Sequence, residues 1–349
     1  MKHPHRLITL FHETLFLSII SLLVSLVPLA SFAQDAKQTV FWGQADVYLD
    51  KQATYVLNAI DKTLTENPPV TKGTSVAARK MALLNLDQIL HETKYDSTEA
   101  LHHFMEMRME KVLNALKRPV NDGMEIYKLY NDGFIVRTKS VTLAFDLYRG
   151  PSLITDSAML NLSAFCDILF ISHAHSDHAD PLVADAFLKA GKQVVCPTDL
   201  WKENREVMHL RSEKIFSQQF VLAKGRTIDV TVFPGHQDEL LNNIYVVTTP
   251  EKLTVAQTGD QYLEEDMPWI RNASEHIPAL DVLIVNCWTM HLPELVAGFN
   301  PRVLLTGHEN ELGHTIDHRE SYWLTYSKLE KIDKSSSVMT WGECYHFHR

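Results

Sequence analysis

The six residues His173-Ala174-His175-Ser176-Asp177-His178 place three imidazoles and one carboxylate close together along the chain. In extended or looped backbone, residues two positions apart point to the same side, so His173 and His175 can bind one metal ion. Asp177 and His178 can then turn toward a second ion. A solvated polar loop is the alternative interpretation. The stretch predicts a site for two metal ions, completed by ligands from elsewhere in the chain.

The residues on either side predict a strand before this stretch and a helix after it. The apolar run 167–172 ends directly before His173 and is typical of a strand that is buried on both faces. Asp180 and Pro181 suit the N-cap and the first turn of a helix, and Gly191 would end that helix before a strand over 193–196. The six residues therefore lie where a buried strand leads into a helix.

Three later strand-like segments are also followed by a glycine and a candidate ligand. Segments 228–233, 253–257 and 303–305 precede Gly235-His236, Gly259-Asp260 and Gly307-His308, and further strands are predicted over 244–248 and 282–285. Strands that end at one edge of a sheet would gather these side chains in one place. The glycines lack side-chain bulk, which permits close approach to an ion.

The motif H-x-H-x-D-H, followed in order by G-H, G-D and G-H, resembles the metallo-β-lactamase superfamily over about residues 125–308 and onward to the C-terminus. The resemblance implies an α/β fold, a four-layer αββα sandwich with the metals at one edge of two packed sheets. It also implies two ligand sets that share one residue: His173, His175 and His236 for one ion, Asp177, His178 and His308 for the other, and Asp260 between them. These ligands suit two zinc ions best, and iron or manganese fits the same ligand types.

The resemblance implies an enzyme, a metal-dependent hydrolase. Two divalent ions lower the pKa of a bridging water so that hydroxide exists at neutral pH, and they polarise the oxygen of the electrophile. Asp177 would orient that hydroxide, and Asp260 or a metal-bound water would pass the proton to the leaving group. The expected substrate is a small molecule with an ester, a lactone or a phosphodiester. The alternative is a non-enzymatic module that uses the same fold to bind a ligand or a partner.

Three residues refine this resemblance. Many members of the superfamily carry a glycine where this chain has Asp180. In this respect the chain resembles the branch of ascorbate-6-phosphate lactonases and N-acyl-phosphatidylethanolamine phospholipases, although Asp180 also suits an ordinary helix cap. His175 disfavours redox chemistry, because the flavodiiron relatives carry a glutamate there. Asp146 resembles a carboxylate that steers a ligand histidine, with a strand-end turn residue as the alternative. The superfamily name alone does not separate a β-lactamase from its relatives.

Four residues adjacent to the expected ligands are candidates for the wall of a substrate cleft. They are Tyr262, which follows Asp260 closely, and Glu309, Asn310 and His314, which follow His308. A structural or surface role is the alternative for each. His291, His318, His346 and His348 lack a motif that would predict a function.

The first 33 residues predict a secretory signal. Lys2 and Arg6 precede an apolar run over 15–29, and a small-residue stretch ends at Ala33, where cleavage is expected. The run is shorter than the roughly 20 residues that span a bilayer. The sequence thus predicts a periplasmic or secreted protein without a membrane span after cleavage, and a retained membrane anchor is the alternative.

Residues 34–118 predict a helical N-terminal extension. Apolar residues recur at spacings of three and four over 47–64, 76–91 and 98–116. After Arg118-Pro119 the period changes to strands over 126–130, 134–138 and 141–145, separated by the turns 131–133 and 139–140. We therefore expect the hydrolase domain to occupy 119–349. His102 and His103 are adjacent on a helix and point in different directions, so we expect solvent or packing roles for them.

Composition excludes several other classes. The chain has 349 residues and a formal net charge of −10, with no basic stripe, so nucleic acid is not an expected partner and the transfer-RNA-processing members of the superfamily are disfavoured. The four cysteines are widely spaced and form no C-x-x-C pair, which argues against a structural zinc site. We expect buried free thiols, although an oxidising compartment would permit one disulfide. No feature predicts an oligomeric state.

Overall fold

A computed structural model describes residues 45–91, 99–210 and 213–349, with side chains from residue 50 onward. The chain divides into two compact units, Met1–Gln52 and Ala53–Arg349. Of the first unit, the structure describes residues 45–52, which begin a helix. The predicted signal segment and its cleavage point lie outside the described residues. Both sheets and the candidate site belong to the second unit.

The three predicted N-terminal helices are confirmed. They are α1 (Ala45–Glu66), α2 (Ser75–Leu90) and α3 (Glu99–Leu116). Leu57, Leu86 and Phe104 of these helices are buried in the same hydrophobic core as residues of the sheets. Burial of an apolar side chain of this size stabilises the fold by about 1.5–3 kcal/mol. The division at residue 118 into an extension and a hydrolase domain stays a prediction.

The strands of the described residues form two seven-stranded sheets. The first sheet contains, in spatial order, β14 (Glu343–Phe347), β1 (Met124–Lys128), β2 (Phe134–Arg137), β3 (Thr142–Phe145), β4 (Ile168–Phe170), β5 (Gln193–Cys196) and β6 (Met208–His209). The second contains β13 (Ser336–Ser337), β12 (Val303–Gly307), β11 (Val282–Asn286), β10 (Thr254–Gln257), β9 (Leu240–Thr248), β8 (Thr227–Gln237) and β7 (Phe216–Val221).

The two sheets pack face to face, with helices on their outer faces. Side chains alternate between the faces of a strand, so Phe145, Phe170 and Tyr245 point into the core between the sheets, where Phe170 lies 5.3 Å from Phe145 and 5.1 Å from Tyr245 between ring centroids. Their neighbours Leu169 and Val246 belong to the core that contains the helices. The remaining helices are α4 (Asp156–Ala164), α5 (Pro181–Lys189), α6 (Met267–Ile270), α7 (Leu292–Phe299) and α8 (Tyr322–Leu329). The predicted αββα sandwich is confirmed.

Parallel pairing brings the chain segments of the predicted site to one edge of each sheet. β3, β4 and β5 are parallel to one another, as are β10, β11 and β12. The six-residue stretch follows β4, Asp260 follows β10 and His308 follows β12. The carboxyl ends of parallel strands meet at the same edge, which places these residues together.

One predicted strand end differs from the structure. The strand predicted over 228–233 continues to Gln237, so that His236 lies within β8 and pairs with Leu241 of β9. The cause is a long hairpin, in which β9 keeps pairing with β8 through Pro234 and Gly235. Within the ranges 45–91, 99–210 and 213–349, no helix is both long and apolar enough to cross a bilayer.

Candidate metal centre

The six-residue stretch forms a tight turn between β4 and α5. The backbone amides of His178 and Ala179 both donate to the carbonyl of His175, at 3.1 and 2.9 Å. Asp180 then caps α5, because its Oδ1 accepts from the amide of Leu182 at 3.0 Å, and Pro181 occupies the first turn. The cap and the proline confirm the helix start predicted from the sequence, and the turn carries His173, His175, Asp177 and His178 into one place.

Asp260 lies among the histidines of this turn. Its Oδ2 is 3.6 Å from Nε2 of His173 and 3.3 Å from Nε2 of His178. One ligand atom from each of His173, His175 and Asp260 lies within 4.8 Å of the others. Residues that are about 85 positions apart in the sequence thus form a three-residue group that could hold one metal ion.

His308 completes a second group on the other side of Asp260. Its Nε2 lies 3.3 Å from Oδ2 of Asp177 and 3.5 Å from Oδ2 of Asp260. Nε2 of His178 lies 3.5 Å from Oδ2 of Asp177, and ligand atoms of Asp177, His178 and His308 lie within 4.8 Å of one another. Asp260 therefore touches histidines of both groups.

His236 stands apart from both groups. Its side chain is about one third exposed, and its Nδ1 lies 3.2 Å from Oδ1 of Asp266. Gln261 connects these two residues. Its side-chain amide donates to Asp266 at 2.7 Å, and its side-chain oxygen accepts from the backbone amide of His236 at 3.2 Å. The structure therefore brings six of the seven predicted ligands together and places the seventh, His236, against Asp266.

The donor set fits metal ions. Nε2 of His173, His178 and His308 are all buried, and none has a partner in hydrogen-bonding geometry among the described residues. Buried polar atoms are nearly always satisfied, so three unsatisfied nitrogens around one carboxylate oxygen fit a bound cation. Ligand atoms held tetrahedrally at about 2.1 Å from one zinc ion lie about 3.4 Å apart. The observed separations of 3.3–3.6 Å match that value.

The charges of the site also favour a cation. Burial opposes the charged form of His308, but Asp260 and Asp177 outweigh it and raise the pKa of His308 to about 9. Against the same opposition from burial, these two carboxylates hold the pKa of His178 well above its usual value. Burial, reinforced by His178, holds the pKa of His173 well below its usual value, which keeps that imidazole neutral. A negative potential that stabilises imidazolium stabilises a divalent cation as well.

Asp146 makes the steering contact that the resemblance implies. Its Oδ2 lies 2.9 Å from Nδ1 of His178, and its Oδ1 accepts from the backbone amide of Ser172 at 2.7 Å. Gln257 of β10 also donates to Asp146, at 3.1 Å. A carboxylate at Nδ1 of a ligand histidine directs Nε2 toward the metal. Asp146 thus orients His178 through the ring nitrogen that faces away from Asp260.

The turn Asn131-Asp132-Gly133 is part of the site. The sequence predicts it only as a hairpin turn, yet Asn131 and Asp132 are buried. The side-chain amide of Asn131 donates to Oδ2 of Asp177 at 3.0 Å. Burial raises the pKa of Asp132 to about 8, and the nearby Asp146 adds to that rise. Asn and Asp are common turn residues, so nothing in the sequence distinguishes this turn from an exposed one.

Two further asparagines hold Asp260. The side-chain amide of Asn286, at the end of β11, donates to Oδ1 of Asp260 at 2.6 Å. Oδ1 of Asn242, in β9, accepts from the backbone amide of Asp260 at 3.1 Å. Asn286 follows a predicted strand in the same way as the ligands do, and that position is the signal that could have identified it. Asn242 has no such signal, because it faces the site only through the long β8–β9 hairpin.

The glycines before Asp260 and His308 permit a close approach, but the atoms that approach them belong to other residues of the protein. A Cβ on Gly259 would lie 2.4 Å from Cβ of Ser172, and φ at this residue is +53°. A Cβ on Gly307 would lie 1.8 Å from Oδ1 of Asp132. The sequence-based explanation, space for an ion, is therefore corrected: these glycines admit the residues that support the ligands.

A cavity of about 420 Å³ opens beside the two groups. Tyr262 and His314 line it, as two of the cleft candidates were expected to, and so does His318, for which the sequence predicts no function. Asn286, Trp288 and Thr289 form another part of its wall. Glu309 and Asn310 are instead fully buried away from it. The volume suits a small-molecule ligand.

The chain is similar to solved structures of other proteins at low sequence identity. No family model and no curated protein matches it. It is similar to the structure of Igni18, a metallo hydrolase from the archaeon Ignicoccus hospitalis, with 17% identity, a TM-score of 0.50, and coverage of 65% of this chain and 99% of that one. YhfI from Bacillus subtilis, a metallo-β-lactamase-fold protein, is 13% identical, with a TM-score of 0.46 and coverage of 65% and 100%. CmlA from Streptomyces venezuelae, a diiron β-hydroxylase, is 10% identical, with a TM-score of 0.46 and coverage of 66% and 55%.

The likeness to Igni18 shows the fold. The sheet order and the layers described above agree with the αββα sandwich that the motif predicts. Proteins that share one fold have many different activities, so the activity of this chain depends on the side chains of its site.

Proposed function

We propose that this protein is a hydrolase that uses two divalent metal ions. The observation that carries the proposal is the convergence of three buried, unsatisfied imidazole nitrogens on one oxygen of Asp260. Without a bound cation this arrangement would leave polar atoms unsatisfied in the interior, at a cost of about 1–3 kcal/mol for each. Two ions held by these residues would satisfy all of them.

The two ligand groups divide the residues between the ions. His173, His175 and Asp260 would hold one ion, and Asp177, His178 and His308 would hold the other, with Asp260 shared. His236 is the proposed remaining ligand of the first ion. Its contact from Nδ1 to Asp266 is the kind of hydrogen bond that orients a ligand histidine, and it leaves Nε2 as the coordinating atom.

Zinc is the proposed metal. Imidazole and carboxylate are ligand types that suit zinc, and zinc shares them with iron and manganese. When bound, two such ions lower the pKa of a water molecule and polarise the oxygen of a carbonyl or phosphoryl group. The chain supplies the rest of the chemistry through Asp177 and Asp260.

Asp177 is the residue proposed to orient the attacking water. It borders the cavity, and Asn131 fixes its Oδ2 by a hydrogen bond of 3.0 Å. Burial opposes ionisation of Asp177, but His178 and His308 outweigh it and hold its pKa far below the usual range. The side chain is therefore a carboxylate at neutral pH and can accept a hydrogen bond from a water molecule. Asp260 also borders the cavity and is proposed to pass a proton to the leaving group.

The proposed substrate is a small molecule that carries an ester, a lactone or a phosphodiester. The cavity beside the site supports this class by its volume and by its mixed lining of aromatic and polar side chains. All three groups present an electrophilic centre with an oxygen that a divalent ion can polarise.

Hydrolysis of a substrate panel tests the proposed function. Purified, zinc-loaded protein should hydrolyse at least one of a carboxylic ester, a lactone, a phosphodiester and a β-lactam, and a chelator should abolish that turnover. Asp177→Ala should lower kcat at least about a hundredfold, in line with the loss of a positioned polar group. Asp229→Asn, an exposed carboxylate on the same strand as His236, is the matched control and should leave turnover unchanged.

Two results of this panel count against the enzyme. Zinc-bound protein that turns over none of the substrates would favour a binding module on the same fold. Turnover that is the same in Asp177→Ala would place the chemistry elsewhere.

Export is a separate proposal. The charged start, the apolar run over 15–29 and the small residues up to Ala33 support a cleaved signal. Expression in a bacterial host, followed by mass spectrometry of the secreted and periplasmic fractions, should find a chain that begins at Gln34. A full-length chain in the membrane fraction would instead identify a retained anchor.

A further inference from the structure

The loop that carries His308 has an uncommon backbone conformation. His308 has φ of +70° and Asn310 has φ of +57°, both in the left-handed region. Residues other than glycine stay in this region only where the surrounding structure fixes them. The backbone amide of His308 donates to the carbonyl of Asn131 at 3.3 Å, and that of Asn310 donates to the carbonyl of Glu320 at 2.9 Å. The conformation of the loop is thus stabilised by hydrogen bonds to neighbouring segments rather than by the intrinsic backbone preference of its residues.

Side chains from elsewhere in the fold hold the two residues after His308. Glu309 is fully buried and forms an ion pair with the equally buried Lys128 of β1. The side-chain amide of Asn310 donates to Oδ1 of Asp87 at 3.0 Å. Asp87 lies on α2, in the helical segment that precedes both sheets, more than 200 residues away in the sequence.

Asp87 also holds the first turn of α8. Its Oδ1 accepts from the backbone amide of Tyr322 at 2.9 Å, and its Oδ2 accepts from that of Trp323 at 2.8 Å. A carboxylate at the first amides of a helix satisfies donors that have no partner within the helix. The carboxylate of Asp87 thus connects the loop with the start of α8. The backbone carbonyl of Glu320, two residues before α8, makes a second connection by accepting from the backbone amide of Asn310.

We propose that Asp87 is a positioning residue for the metal centre, and that α2 serves as a clamp on the loop that carries His308. The inference rests on the proposed function, because it treats His308 as a metal ligand. A ligand side chain has to be held within about 0.5 Å of its working position. A backbone in the left-handed region keeps its conformation only where contacts with surrounding residues fix it. The helical segment therefore contributes to metal binding without touching the metals.

The clamp predicts a defect in zinc affinity that exceeds any defect in folding. Asp87→Asn replaces one carboxylate oxygen by an amide nitrogen, which cannot accept a hydrogen bond. The new side chain therefore cannot accept from all three donors, which are Asn310, Tyr322 and Trp323. Asn310→Gly cuts the same connection from the other side, and glycine tolerates a positive φ without strain. Each variant should weaken binding of one of the two zinc ions by up to about tenfold, the lower end of the effect seen when a hydrogen bond made directly to a ligand is lost. The double variant should resemble either single variant, because both remove one connection.

Zinc affinity is measured by competition with a chromophoric chelator on the full chain, and thermal unfolding is followed on the same samples. Asp61→Asn is the matched control. Asp61 is a carboxylate on α1 that pairs with Arg108 and Lys111 and does not contact the loop. Its loss should lower thermal stability and leave zinc affinity unchanged.

The outcomes separate the two proposals. If wild-type protein binds two zinc ions and both Asp87→Asn and Asn310→Gly bind them with wild-type affinity, the clamp is overturned while the proposed function stands. If Asp61→Asn lowers zinc affinity as much as Asp87→Asn does, the effect follows from lost stability and the clamp is overturned as well. Wild-type protein that binds no zinc overturns the proposed function and the clamp together.

Discussion

Asn286 donates a hydrogen bond from its side-chain amide to Oδ1 of Asp260 at 2.6 Å. The orientation of that amide is fixed, because its oxygen accepts from the backbone amide of Trp288 at 2.8 Å. With Oδ1 engaged in this way, Oδ2 of Asp260 is the oxygen that faces His173, His178 and His308. Asn286 therefore decides which oxygen of Asp260 faces the three histidines.

Asn286→Ala should weaken zinc binding. Removal of a hydrogen bond that orients a metal ligand typically lowers metal affinity by about 10- to 100-fold. Competition with a chelator measures the change, and Asn272→Ala, whose weak backbone contact at 3.5 Å lies on the surface, is the control. Equal zinc affinity in wild type and Asn286→Ala would show that Asp260 needs no such support.

Asn131→Gly should lower turnover while the fold persists. The substitution removes the donor to Oδ2 of Asp177, and glycine accepts the positive φ of +54° at this position. We expect kcat to fall about 10- to 100-fold on whichever substrate the wild type hydrolyses, with a smaller change in KM. Steady-state kinetics measures both constants. A rise in KM with unchanged kcat would assign Asn131 to substrate binding instead.

Glu343→Gln should destabilise the protein strongly. Glu343 of β14 forms a two-point ion pair with Arg79 of α2 at 2.6 and 2.8 Å, and both side chains are almost completely buried. Loss of one partner leaves an uncompensated buried charge, which costs about 3–5 kcal/mol. Urea unfolding measures the loss. Lys62→Gln, which breaks a pair between exposed side chains, is the control and should cost no more than about 1 kcal/mol.

Glu320 should make stability fall as the pH rises. Burial, which outweighs the contribution of Lys328, raises the pKa of Glu320 from 4.5 to about 7. A carboxyl whose pKa is higher in the folded protein contributes its full stability below pH 4.5 and loses it as the pH rises through 7.

Urea unfolding at several pH values compares wild type with Glu320→Gln. The stability difference between the two proteins should shift by up to about 3 kcal/mol in favour of the variant between pH 4.5 and 7 and then level off. A difference that is constant over this range would show that Glu320 titrates normally.

Apolar patterning predicted the helices and the strands that are deeply buried. The three N-terminal helices repeat apolar residues at spacings of three and four, and strands such as β5 and β11 are short continuous apolar runs. β7 was not predicted, because Ser217, Gln218 and Gln219 are exposed at one edge of the second sheet and leave no apolar alternation. β14 was not predicted either, since it is stabilised by pairing with β1, more than 200 residues earlier.

The candidate metal ligands could be predicted, while most of the residues that hold them could not; Asp146, which contacts His178, is the exception. His173, His175, Asp177 and His178 are adjacent in the sequence, so their chemistry is visible as a pattern. Asn131 and Asn242 contact the site only through tertiary packing, and Asp87 contacts the loop that carries His308 in the same way. Each resembles an ordinary turn, strand or helix residue in the sequence. Amide and carboxylate partners of this kind have no fixed spacing from the groups that they orient.

The number of zinc ions bound per chain tests the two-metal site most directly. Protein saturated with zinc, desalted and analysed by native mass spectrometry should carry two ions per chain, and Asp260→Ala and His308→Ala should each lose at least one. Wild-type protein that carries no zinc, or variants that keep both ions, would contradict a centre built on the convergence of these side chains.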